Sequence, residues 1–80
     1  MFTFAVRLKQ YQNDWYITVD GHRNAVHLRQ KLQRKGLEGS RLQQLDGTSN
    51  YTFRIPQTSL ATRVQLQKIL RQHQQVRLLP

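Results

Sequence analysis

The sequence predicts an α+β two-layer sandwich in the order ββαββαβ, a four- to five-stranded sheet with two helices on one face. Three observations lead there. Apolar residues alternate with a period of two over residues 2–9, 15–19 and 51–55, the spacing of half-buried strands. They switch to helical spacing over residues 23–35 and again in a stretch ending near His73. Each helical stretch carries a narrow apolar stripe, so each has one side to bury, and a sheet is the surface that can cover it. Eighty residues make one domain, 1–80, because a second core would need more chain.

Each element follows from its residues. In the first strand Phe2, Phe4, Val6 and Leu8 point one way, and Thr3, Ala5, Arg7 and Lys9 the other. Tyr11 to Asp14 reads as a polar connection, with Asn13-Asp14 as the turn signal. In the second strand Trp15, Ile17 and Val19 face inward and Tyr16 and Thr18 outward, so the two strands should form an antiparallel hairpin. Asp20-Gly21 breaks the strand. Ala25, Leu28 and Leu32 then sit at i, i+3 and i+7. Gly36 should end this helix as a left-handed C′ residue, with Leu37 packing back on Leu32.

Residues 41–45 alternate poorly and predict a weak strand, followed by dense turn chemistry at Asp46-Gly47-Thr48-Ser49-Asn50. Tyr51, Phe53 and Ile55 alternate with Thr52 and Arg54, and Pro56 closes that strand. Thr58, Ser59 or Thr62 could cap the second helix, whose buried stripe is Leu66, Ile69 and Leu70. Val76 to Leu79 reads as a last short strand. "WYITV…VHLRQKLQRK" and "YTFRI…VQLQKILRQH" run in parallel at a spacing of 36 to 38 residues, which is either a repeat or chance in an α+β chain.

Charge bounds the partners. Nine Arg and four Lys stand against Asp14, Asp20, Glu38 and Asp46, a net charge of +9, and no acid follows Asp46. Such a surface attracts polyanions: nucleic acid, anionic headgroups or an acidic protein. Without cysteine there is no disulfide, thiolate nucleophile or thiolate zinc site, which fits a reducing compartment. No segment approaches the ~20 apolar residues of a membrane span, and residues 1–8 hold no signal-peptide core. With Met1 as the native start, a cytoplasmic protein without membrane insertion is expected.

Catalytic parts are missing. Ser40, Ser49 and Ser59 lie in turn or capping contexts, and Asp14, Asp20 and Asp46 lie at strand ends or turns. His22, His27 and His73 match no zinc spacing. His73, near the end of the second helix, reads as a cation complementing the helix C-terminus. The four glycines are isolated, so no phosphate loop exists. The expectation is a non-enzymatic chain with no cofactor, no metal and no catalytic residues.

From residue 15 onward, "WYITV", "HRNAVHLRQKLQRKG", "NYTFRI" and "VQLQKILRQH" resemble in pattern a SPOR domain, the peptidoglycan-binding β-α-β-β-α-β module. Where that family usually carries Gly-Ser/Pro-Phe turns, this chain reads Asp20-Gly21-His22 and Pro56-Gln57-Thr58. The resemblance implies a glycan-binding function.

The basic residues form two surfaces. Arg23, His27, Gln30 and Arg34 recur along the first helix opposite its buried stripe, with Lys31 flanking and Lys68 and Arg71 outward on the second helix. Arg7, Lys9, Tyr16, Arg54 and Arg77 alternate with core residues and share the sheet face away from the helices, which then carries one aromatic. A basic helix stripe can track phosphates or enter a major groove. A basic sheet with an exposed aromatic can stack a base. The function expected is a nucleic-acid-binding domain contacting DNA or RNA phosphates through Arg23, Lys31, Arg34, Lys68, Arg71, Arg7, Tyr16 and Arg54. The alternatives are a module docking an acidic partner protein and a SPOR-like glycan binder.

Overall fold

In the computed structural model, residues 3–56, 60–73 and 75–79 are described, with backbone alone at 60–62. The elements are β1 (Phe4–Tyr11), β2 (Asp14–Asp20), α1 (His22–Arg34), β3 (Gln43–Gln44), β4 (Asn50–Ile55), α2 (Leu60–Gln72) and β5 (Val76–Leu79). The five strands make one mixed sheet in the order β3-β4-β2-β1-β5, parallel only between β1 and β5. Helix α1 links β2 to β3 and α2 links β4 to β5, and each link joins strands of the same direction, which requires a crossover. The two edge strands are the shortest, which limits the unpaired backbone they present.

Period-two alternation sorts the strand residues onto two faces. Val6, Trp15, Ile17, Val19, Phe53 and Ile55 are buried and meet Ala25, Leu28 and Leu32 of α1 and Leu66, Ile69 and Leu70 of α2 in one cluster. Both helices therefore lie on one face, in the two-layer arrangement that the alternation and the narrow stripes predict. Leu8, Tyr51, Val76 and Leu78 pack at its margin.

Helix α1 ends in a Schellman motif. Gly36 has φ +87°, its N–H donates to Gln33 O at 3.0 Å, and Leu37 N–H donates to Leu32 O at 2.9 Å. Leu37 is buried in the core beside Leu32, as the Gly36 stop signal implies.

Three boundaries depart from the sequence reading. Tyr11 and Asp14 are paired strand residues, and the turn is only Gln12-Asn13, with φ 57° at Gln12. The alternation simply continues one step further, and Tyr11 joins the outward side with Lys9. Second, the weak strand over 41–45 shrinks to Gln43–Gln44. Just before it Ser40 N–H donates to Arg54 O at 2.8 Å, while Arg54 N–H donates to the Ser40 hydroxyl at 2.9 Å. A side chain thus substitutes for a ladder carbonyl, and regular pairing starts only after it. Third, Thr62 lies inside α2 rather than at its cap; Thr58 and Ser59, like Phe2 of the first strand, lie outside the described residues.

The repeat has a geometric counterpart. A shift of 36 residues carries Trp15 to Tyr51, Ile17 to Phe53 and Val19 to Ile55. The β2–β4 ladder pairs Trp15 with Ile55, Ile17 with Phe53 and Val19 with Tyr51, the register demanded by a dyad through Ile17 and Phe53.

Candidate nucleic-acid interface

The helices leave the other sheet face bare. Across it, β1 offers Ala5, Arg7, Lys9 and Tyr11; β2 offers Asp14, Tyr16, Thr18 and Asp20; β4 offers Asn50, Thr52 and Arg54; β5 offers Arg77 and Leu79. Cross-strand pairing sets Lys9, Tyr16 and Arg54 in one row. The next row sets Arg7 beside Thr18, Thr52 and Gln43. At ~4.8 Å between strands, the first row spans about 10 Å from Lys9 to Arg54.

Tyr16 stands at the middle of this surface between two shallow concavities. One is lined by Lys9, Tyr11 and Tyr16, the other by Tyr16, Ser40, Arg41, Gln43 and Arg54. The Tyr11 and Tyr16 rings meet edge to face with centroids 6.4 Å apart, and Tyr11 is 58% exposed. The Arg54 guanidinium lies 3.6 Å from the Asp14 carboxylate, which steadies it beside Tyr16 without removing it from solvent. At the far corner Asp20 accepts a 2.7 Å hydrogen bond from the Ser49 hydroxyl, so this acid is tied to the loop before β4.

On the helical layer Arg23, His27, Gln30 and Arg34 are exposed along α1, and Lys68 and Arg71 are exposed on α2. Lys31 is half-buried. Its charge acts on the His73 imidazole. Arg29 is committed to structure: its Nε donates to Ser40 O at 2.8 Å and its terminal nitrogen to Gly39 O at 3.4 Å. The eight expected contact residues thus divide between opposite layers, Arg7, Tyr16 and Arg54 on the sheet and Arg23, Lys31, Arg34, Lys68 and Arg71 on the helices.

Two expectations need correction. The sheet face carries two tyrosines rather than one, because Tyr11 belongs to β1. Its signal was the continued alternation of Lys9 and Tyr11 against Leu8 and Gln10, masked by the polar residues after it. Nor does His73 act as a helix-terminal cation. Its Nδ1 accepts from Gln75 N–H at 3.3 Å, which only a neutral ring can do. Burial, then the nearby charges of Lys31 and His27, push its pKa below the ordinary histidine value. The ring also meets Phe4 edge to face at 5.9 Å and closes the turn into β5.

Among the described residues, no group of three or more His, Asp or Glu could hold a metal ion, and no helix is long and apolar enough to cross a membrane. No protein-family model, curated protein or solved structure matches the chain.

Proposed function

We propose that this chain is a non-enzymatic nucleic-acid-binding domain that contacts phosphates through its basic surface, in the cytoplasm. The observation that carries the reading is uncompensated charge. Thirteen cations face four acids, and Arg7, Arg23, Arg34, Arg54, Lys68 and Arg71 are all exposed. A surface of that kind gains affinity by releasing the counterions condensed on a nucleic-acid backbone. Those contacts give weak sequence preference, since phosphates carry no base identity.

Fluorescence anisotropy with labelled DNA and RNA at 50 and 200 mM salt tests this. Four to six phosphates engaged on a duplex should cost roughly 10²–10³-fold in affinity between the two conditions. Reversing Arg23 and Arg34 to Glu disables the helical stripe, and reversing Arg7 and Arg54 disables the sheet face, so the pair of variants maps the surface. Absence of binding to any nucleic acid at 50 mM salt overturns the reading. Binding to an acidic protein alone, or salt-insensitive capture by peptidoglycan, would establish one of the alternatives in its place.

A further inference from the structure

We propose that the bare sheet face is a platform for single-stranded nucleic acid, on which Tyr16 and Tyr11 stack bases and Lys9, Arg54 and Arg41 hold the flanking phosphates. The proposal rests on the nucleic-acid reading above and names the strand state and the surface.

Charge alone does not choose between the two layers, but aromatic placement does. Solubility needs this face polar, and Thr, Gln and Asn would satisfy that need. Instead Tyr16 occupies the middle of the Lys9–Tyr16–Arg54 row, and Tyr11 lies against it, largely exposed. Arg41 and Gln43 complete the concavity on one side of Tyr16, and Lys9 lines the other. Cations therefore flank an aromatic pair on both sides within about three strand spacings.

A duplex cannot stack its bases on these rings. Its bases are stacked on each other, and it presents phosphates and groove edges to a broad sheet. An unpaired strand exposes base faces, and base–aromatic stacking tolerates any sequence because every base has a π-face. Arg54 and Arg41 supply donors in a rigid fork that fits phosphate oxygens, and Lys9 supplies a point charge. Asp14, on the same face, pairs with Arg54 at 3.6 Å. It fixes that guanidinium at the edge of the Tyr16 concavity.

The experiment is anisotropy at 50 mM salt with labelled twelve-nucleotide single strands, oligo-dT and oligo-U, and a twelve-base-pair duplex. The full chain is used, with Tyr16→Ala, Tyr16→Phe and Tyr11→Ala variants. The wild type should bind single strands at least tenfold more tightly than duplex. Each alanine variant should lose roughly 5- to 150-fold on single strands and keep its duplex affinity, while Tyr16→Phe keeps both. Tyr11 lies at the hairpin end and is exposed, so Tyr11→Ala remains informative even if Tyr16→Ala unfolds. Equal binding of single strand and duplex, or single-strand affinity unmoved by Tyr11→Ala and Tyr16→Ala, overturns the platform and leaves nucleic-acid binding standing. No binding of any oligonucleotide overturns both.

Discussion

Replacing Gly36 isolates the cost of one backbone conformation. Its φ is +87°, and a Cβ added there would meet nothing within 4 Å. Crowding at the Cβ therefore contributes nothing, and for alanine what remains is the penalty of a left-handed L-residue, about 1–2 kcal/mol. Asparagine tolerates that region best, and a β-branched residue worst. For an 80-residue domain each kcal/mol lowers Tm by about 4–8 °C. Gly36→Asn should thus fall by a few degrees and Gly36→Ala by about 5–10 °C. Gly36→Val should fall further, since its loss also threatens the Leu37–Leu32 bond of 2.9 Å that docks Leu37 in the core. Circular-dichroism melts give the ranking, and exchange of the Leu37 amide reports whether the motif opens. Gly39 is the contrasting site. There a Cβ would come 2.7 Å from the Phe53 ring, so Gly39→Ala should destabilise by overpacking, about 1–3 kcal/mol. Combining each variant with Phe53→Leu separates the two causes: part of the Gly39→Ala loss should be recovered, while the Gly36→Ala loss should simply add. A wild-type Tm for Gly36→Val, or asparagine costing more than valine, would refute the conformational account.

Other outcomes follow from single contacts. Arg29→Lys cannot reproduce two guanidinium bonds to the Gly39 and Ser40 carbonyls, so it should lower stability by about 1 kcal/mol in urea titration; Arg23→Lys, on the exposed face, should not. His73 is held neutral, with a pKa below its unfolded value. The stability it contributes is present above the unfolded pKa and lost as pH falls toward the folded one. Melts from pH 7.5 to 5 should therefore fall more steeply for the wild type than for His73→Gln. Equal slopes would show that His73 is not the group responsible.

Much of this fold was legible where two signals agree at one element. Strand β4 has its alternation and Pro56; α1 has its stripe and the Gly36–Leu37 stop; β5 was placed at Val76–Leu79 by its apolar run alone. The sequence failed where a contact that the local residues do not announce overrides the local signal. The turn chemistry at Asn13-Asp14 was real, yet Asp14 pairs with Tyr11 across the hairpin. The start of β3 is decided by the Ser40 hydroxyl on Arg54, 14 residues away. His73 looked like a surface cation because nothing local reveals that Phe4 covers its ring or that Lys31 approaches it from α1. Of the candidate surface, the face on which Arg7, Tyr16 and Arg54 lie follows from parity in the strands. The Tyr11–Tyr16 ring contact does not, because it needs the tight turn that brings both strand ends together.

The dyad through Ile17 and Phe53 separates what the fold requires from what it leaves open. Inside, the two halves match. Ile17 answers Phe53, and a shift of 38 residues carries Leu28 to Leu66 and Leu32 to Leu70, all buried. The hairpins differ in their outer strands, eight residues in β1 against two in β3, and in their turns: Gln12-Asn13 in the first half, and in the second residues 46–49, stapled by the Thr48 hydroxyl to Leu45 O at 2.8 Å. On the bare face the same operation gives unlike residues. Tyr16 maps onto Thr52, Arg54 onto Thr18, and Asp14 onto Asn50. Packing density constrains the buried positions to similar volumes, whereas a solvated strand surface imposes only polarity, which Thr52, Thr18 and Asn50 already satisfy. Tyr16 and Arg54 are paired directly across the two central strands. The symmetric scaffold therefore puts an aromatic ring and a guanidinium side by side at its centre with no demand from the core for either. Tyr16 also meets the Tyr11 ring and Arg54 the Asp14 carboxylate, contacts that support the strands and hold both groups where the proposed platform would use them.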